Sequence, residues 1–378
     1  FLHNLKLLIQ FIKSKFRYLQ IFMNKKVHNF SAGPSILPDK VFKDASSAIN
    51  NFNNLGLSIL EISHRSKDFI EILDQSRSLA LEISSLNKDE YSCLYLQGGA
   101  SMQFLMTAFN FLNSNAAYIN TGSWSTKAIK EAKLFGNVHE ISSSEDQNFN
   151  YIPKSSIIKE DYDYLHITSN NTIFGTQFHS FPETNSPLIA DMSSDIFSRK
   201  INFSKFDLIY AGAQKNLGPA GVTMVLIKKE LLKRVQREVP SMLSYKVHID
   251  KDSSFNTPPV FPIYCVFQNL KLIKNETLEV IGQNNRIKSG LIYDEIDRNK
   301  CFNGFAKIED RSIMNATFNL NDGFDANLFN QICIENNISG INGHRSVGGY
   351  RASIYNALPI NSVKILIDCM KEFETNYN

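Results

Sequence analysis

The stretch LIADMSSDIFSRKINFSKFDLIYAGAQKNLGPAGVTMVLI, residues 188–227, decides the fold class. Leu188–Ala190, Leu208–Ala211 and Val222–Ile227 are short, continuous apolar runs, the pattern of strands covered on both faces. In such sheets ligands collect at the carboxyl ends of the strands. Asp191 ends the first run, and Lys215 follows the second 24 positions later, so both fall at one edge of neighbouring strands. Ala211, Gly212, Ala213, Gly218, Ala220 and Gly221 surround Lys215 with small residues that leave room for a flat ligand.

The same pattern continues outward. Tyr91–Leu96, Ala116–Ile119 and Tyr164–Ile167 read as strands, with helices at Ser101–Leu112 and Thr126–Phe135. Strands alternating with helices predict a mostly parallel sheet sandwiched by helices. Past about residue 280 the character changes. A long helix at Leu278–Asp297 leads to a strand at Ser312–Leu320, a helix at Ala326–Asn336 and a strand at Arg351–Tyr355. A last helix runs Ser362–Phe373, with Asn361 placed to cap it. These elements predict a smaller α+β domain.

A lysine in a Gly/Ala-lined loop can form a Schiff base, although an isolated lysine reads first as a surface residue. Asp191 shifts the balance. Pyridoxal phosphate (PLP) needs a lysine for its aldehyde and a carboxylate that keeps its pyridine nitrogen protonated. Alone, Asp191 equally suits a helix N-cap. LQGGASMQF (96–104) sets Gly98, Gly99, Ala100 and Ser101 between a strand and a helix, where free N–H groups can hold an anion. It matches neither dinucleotide nor NTPase loops. Trp124, the only tryptophan, lies in NTGSWSTKA after another strand and can stack on a flat ring or simply pack. Thr172, after the next strand, is either a hydrogen-bond donor to a ligand or a turn residue. GHRSVGGYRASIYNA (343–357) brings His344, Arg345 and Arg351 together near glycines, which suits an anionic substrate. Arg351 can grip a carboxylate bidentately, and Arg65 is a further candidate. Taken singly, each arginine reads as a solvated surface residue.

The chain has 378 residues, 43% hydrophobic and 20% charged, which excludes collagen-like, coiled-coil and wholly disordered classes. Its net charge of +3 is too small to argue for nucleic acid. Residues 1–22 hold four basic and no acidic side chains; without them 36 basic residues (40 less 4) face 37 acidic ones. Those charges interrupt the apolar run, so no membrane span is expected there. We expect 1–22 to be an extension outside the fold, with the functional chain starting near Met23 and an organelle presequence as the alternative. The five widely spaced cysteines, with no C-x-x-C, fit reduced cytoplasmic thiols and argue against disulfides or a metal site.

Taken together, these segments resemble the phosphoserine aminotransferases, class V members of the fold-type I PLP-dependent aminotransferases. The resemblance runs from about Asn29 to Phe373. It rests on NFSAGPSILP (29–38), ISHRSKDF (62–69), GSW (122–124) and NNTIFGT (170–176). It rests further on ADMSSDIFSRK (190–200), YAGAQKNLGPAG (210–221), FNTPP (255–259) and GHRSVGGYRASIYNA. It implies an α/β fold with a large PLP-binding domain at 38–280, built on a mostly parallel, seven-stranded sheet covered by helices. A segment at 23–37 would pack near the active site, and 281–378 would form a small C-terminal α+β domain. Lys215 would be the Schiff-base lysine, Asp191 would pair with the pyridine nitrogen, Trp124 would stack on the ring, and Thr172 would contact its phenolic oxygen. Ala100, Ser101 and Gln214 would hold the cofactor phosphate, joined by Asn256 and Thr257 from the other subunit of a homodimer. His64, Arg65, His344 and Arg345 would take the substrate phosphate and Arg351 its α-carboxylate. Some relatives carry an arginine where this chain has Ser101. The implied reaction moves the amino group of glutamate to 3-phosphohydroxypyruvate, giving O-phosphoserine for serine biosynthesis. The related intermediate of vitamin B6 synthesis is a second possible substrate. The alternatives are another class V enzyme, a cysteine-desulfurase-like protein, or a non-catalytic PLP binder.

Overall fold

The computed structural model describes residues 26–154 and 157–377. The expected 1–22 extension, and residues 23–25 of the segment after it, lie outside the described residues.

Seven strands form the main sheet: β1 (Tyr91–Leu96), β2 (Asn115–Asn120), β3 (Asn137–Ser143), β4 (Leu165–Thr168), β5 (Leu188–Asp191), β6 (Leu208–Gly212) and β7 (Thr223–Lys228). Their spatial order is β1-β7-β6-β5-β4-β2-β3. Only β7 runs antiparallel to its neighbours, so the other six strands share one carboxyl edge. The continuous apolar runs follow from burial on two sides. Along β1, Cys93 and Tyr95 enter one core while Leu94 and Leu96 enter the other. The same split separates Ile209 and Ala211 from Leu208 and Tyr210 on β6.

On the first face lie α1 (Asp39–Asn50), α2 (Lys67–Ile83) and α5 (Val260–Glu276). On the second lie α3 (Gly99–Phe111) and α4 (Ser123–Ala132). The edge strand β3 was not legible as a strand: in its sequence NVHEISS no residue is fully buried and no apolar run occurs.

A three-stranded antiparallel sheet, β8 (Phe302–Gly304), β9 (Asn315–Leu320) and β10 (Tyr350–Ser353), has its own core with α7 (Ala326–Glu335) and α8 (Ile360–Thr375). The 21-residue α6 (Leu278–Arg298) serves both cores: Leu278 and Ile281 pack in the first, Ile292 and Ile296 in the second. Two expectations need correction. β9 starts at Asn315 because the Ser312 hydroxyl accepts from the amides of Met314 and Asn315 and makes a turn there. α8 starts at Ile360 behind Pro359, so Asn361 lies inside the helix and caps nothing.

The segment after residue 26 ties the two sheets together. His28–Asn29 pairs with Ile338–Ser339, and Phe30 is fully buried in the smaller core. A few residues on, the amide of Ser35 donates to the carbonyl of Gln214. Among the described residues no helix is long and apolar enough to cross a membrane.

Candidate active site

The carboxyl edge of the sheet brings five loops together. After β6, a tight turn returns the chain to β7, closed by Ala213 N–H to the carbonyl of Val222 at 3.0 Å. This turn carries Lys215, which is half-buried, with its Nζ 2.7 Å from Thr172 Oγ1. Burial pulls its ammonium down to about 8; Arg351 adds to the effect and Asp191 opposes it. Gly33 passes close by with φ +150°, and a Cβ there would lie 3.3 Å from Lys215 Cγ.

Asp191 ends β5, buried. Its Oδ1 accepts from the amide of Ser193 at 2.9 Å and from its hydroxyl at 2.6 Å. The same hydroxyl accepts from the amide of Gly212 on β6, which locks the carboxylate to the strand that leads to Lys215. Burial raises the Asp191 pKa, against the pull of Lys215 and of the Ser193 hydrogen bonds. Behind it, the Ser169 hydroxyl donates to the carbonyl of Asp191 and to the carboxylate of Asp195. No helix directly follows Asp191, so it caps none; its carboxylate closes a turn onto Ser193 and also faces Lys215.

Thr172 sits in a turn built by Asn171, whose Oδ1 accepts from the amides of Ile173 and Phe174 while its Nδ2 donates to the carbonyl of Thr121. That last bond ties Thr172 to the loop bearing Trp124, the second residue of α4. The Trp124 ring centroid is 5.4 Å from Lys215 Nζ, and its indole nitrogen is buried without a partner. After β1, Gly98 (φ +92°) and Gly99 (φ +67°) open α3, with Ala100 and Ser101 in its first turn. Amides in a first turn have no intrahelical acceptor and suit an anion. Gln214 folds back over Gly212.

From the smaller sheet, β10 brings Arg351 in. It is buried, donates from Nη1 to the carbonyl of Thr172 at 3.4 Å, and has an unpartnered Nε. His344 is exposed; burial, Arg351, Lys127 and Arg345, in that order, lower its pKa, so these cations cluster. Lys127, one helical turn beyond Trp124, was missed by the sequence reading although it lies within NTGSWSTKA; a lysine on a helix surface ordinarily reads as a solvated face.

Four expected residues stand apart. His64 and Arg65 are in the turn before α2, and their side chains make no hydrogen bond or ion pair among the described residues. Asn256 donates to Gln97 Oε1 at 2.6 Å, and Gln97 donates to the carbonyl of Thr257 at 3.3 Å. Both residues therefore lie within this chain beside the residue that precedes Gly98.

Known proteins share this fold. The aminotransferase class-V family pattern matches residues 27–366. A phosphoserine aminotransferase from Flavobacterium psychrophilum is 55% identical over 352 residues, covering 92% of this chain and 99% of its own length. One from Flavobacterium johnsoniae is 56% identical, over 93% of this chain and 99% of its own. Among solved structures, phosphoserine aminotransferase from Bacillus circulans subsp. alkalophilus aligns with a TM-score of 0.89 at 42% identity, over 93% of this chain and 99% of that one. A PLP-bound phosphoserine aminotransferase from Trichomonas vaginalis aligns at 0.86 and 34% identity, over 92% of this chain and 100% of that one. With the family pattern spanning both sheets and every loop of the site, the chain belongs to the class-V aminotransferases.

Proposed function

We propose that the chain is a PLP-dependent phosphoserine transaminase: it takes the amino group of L-glutamate and passes it to 3-phosphohydroxypyruvate, giving 2-oxoglutarate and O-phospho-L-serine. One observation carries the reading. A lysine of lowered pKa, a buried carboxylate and a tryptophan face meet at one sheet edge, next to unneutralised cations.

The residues fit the cofactor. The unpartnered Trp124 indole and Arg351 Nε, and the glycine-opened start of α3, together suit a flat, anionic aromatic group. Lys215 would hold its aldehyde carbon, Asp191 its ring nitrogen and Thr172 its phenolic oxygen, with Trp124 on its face. Ala100, Ser101 and Gln214 would hold its phosphate. Bound there, PLP supplies an electron sink for negative charge at a substrate's α-carbon.

The chain's own groups do the rest. With the cofactor bound, Lys215 would be the group placed to take the proton from a substrate's α-carbon and to hold it for return. A pKa near 8 leaves a usable fraction of free amine at neutral pH. Arg351 binds the α-carboxylate; its buried Nε gains the acceptor it lacks. His344 and Arg345, joined by His64 and Arg65, bind the distal phosphate or carboxylate in turn, because multidentate charged contacts accept either. Glutamate and keto acid thus use one pocket alternately, in ping-pong order.

The half-buried His64 and the exposed Arg65, both unengaged among the described residues, support a homodimer with shared active sites. Five unpaired, buried cysteines support a reducing, cytoplasmic setting. They also count against a cysteine-desulfurase reaction, which needs an accessible thiolate; burial pushes Cys93 up to about 12 and Cys265 up to about 11.

Lys215→Ala tests the reading. It should lose the yellow colour that glutamate bleaches, and turnover should fall by at least about a thousandfold. Full activity in this variant would sink the assignment. Assaying wild-type protein with 3-phosphohydroxypyruvate and with the B6-pathway keto acid defines the acceptor.

A further inference from the structure

Lys127 lies on the exposed side of α4, three residues after Trp124, with its Nζ 4.5 Å from the Trp124 ring centroid. Lys215 approaches the same ring at 5.4 Å. Cation–π attraction holds the Lys127 ammonium over the indole and so fixes it beside the ring that Lys215 also approaches. It is also near enough to His344 to lower that group's affinity for a proton, alongside Arg351 and Arg345. Lys127, Arg345 and Arg351 make no ion pair with a carboxylate among the described residues. Three elements, α4, the 343–348 loop and β10, therefore direct positive charge at one place without neutralising it. Mutual repulsion makes such a cluster costly unless an anion occupies it.

Resting on the transaminase reading above, we propose that Lys127 is a further substrate-binding residue: its ammonium contacts the distal phosphate of the phosphorylated keto acid and amino acid, and so favours a dianionic end over the single negative charge of glutamate's side chain. The physics sets a ratio. Coulomb energy scales with ligand charge, so losing the lysine should cost a dianion about twice the free energy it costs a monoanion. In kcat/KM the loss for glutamate should then be about the square root of the loss for 3-phosphohydroxypyruvate, about fivefold against about thirtyfold.

The test uses the holoenzyme with Lys127→Met, which keeps the aliphatic stem, and with Lys127→Arg, which keeps the charge. The expected result is the unequal loss in the methionine variant and recovery in the arginine variant. Trp124, the chain's only tryptophan, gives a readout free of turnover. Titration with inorganic phosphate should change its emission, and Lys127→Met should raise the half-saturating concentration about tenfold or more. Equal losses for both substrates would overturn the inference, since Lys127 would then act only by placing Trp124. Unchanged kinetics and unchanged phosphate titration would overturn it too. If wild-type protein turned over no phosphorylated keto acid, the transaminase reading would fail instead, and the phosphate titration would still decide the role of Lys127.

Discussion

Lys215 carries opposing electrostatic loads. Burial and Arg351 disfavour its charge, while Asp191 favours it, and the balance leaves it near 8 where a free lysine sits at 10.5. Only the uncharged amine attacks an aldehyde. The neutral fraction grows as pH rises through the folded pKa. The rate at which cofactor-free protein captures PLP should therefore climb between about pH 7 and 9 and level off above that. Stopped-flow absorbance across this range checks it. A rate still rising steeply toward pH 10.5 would show that the lysine is unperturbed. At this scale the sequence was most readable where chemistry demands a residue type in a fixed place. Lys215, Thr172 and Trp124 follow strands and Asp191 ends one, and the structure gathers them. His64 and Arg65 resisted, because no contact within this chain shows what they face. Lys127 resisted because a helix-surface lysine carries no local mark of being held over an indole.

Strands β1, β2 and β4–β7 were legible because two-sided burial writes itself as an apolar run. β3 was not, being a polar sheet edge, and in α5 the buried residues wrap round the helix with no polar stripe to set its phase. The connections matter more for the site. Gly122 precedes α4 with φ +136°, and a Cβ there would lie 2.4 Å from Asn171 Nδ2 and 2.7 Å from the Phe174 ring. Asn171 both joins this loop to the next and builds the turn that holds Thr172. Gly122→Ala must push Asn171 aside in a backbone conformation that alanine disfavours. We expect a loss of about 1–3 kcal/mol in stability, read from chemical denaturation, together with faster PLP release. Unchanged stability with unchanged PLP retention would mean that the two loops are not coupled through this contact.

For the whole molecule, α6 and the segment 28–35 fasten the two sheets so that Arg351 on the smaller one faces Thr172 in the turn beyond β4 of the larger. Lys288 on α6 strengthens this, donating to the carbonyls of Ile354, Tyr355 and Leu358 just beyond β10. The sequence change near residue 280 signalled a second unit, but it could not show a single helix entering both cores. The homodimer proposed above would need a surface on which to form. Leu55, Leu57 and Leu60 are 47%, 46% and 63% exposed in the stretch leading to His64 and Arg65. Phe255 is 41% exposed beside Asn256. In that proposal these apolar side chains, next to unengaged cations, would be covered by the symmetric partner. If each site takes Lys215 from one protomer and Arg65 from its partner, two defective variants can repair each other. Lys215→Ala and Arg65→Ala homodimers, assayed below KM for the phosphorylated keto acid, should each be impaired. After mixing, dissociation and reassociation, half the dimers are hybrids, each with one intact and one doubly damaged site. Activity should rise to about a quarter of wild type. A mixture that stays at the average of its parents would place Arg65 in the same protomer's site, or outside the site altogether.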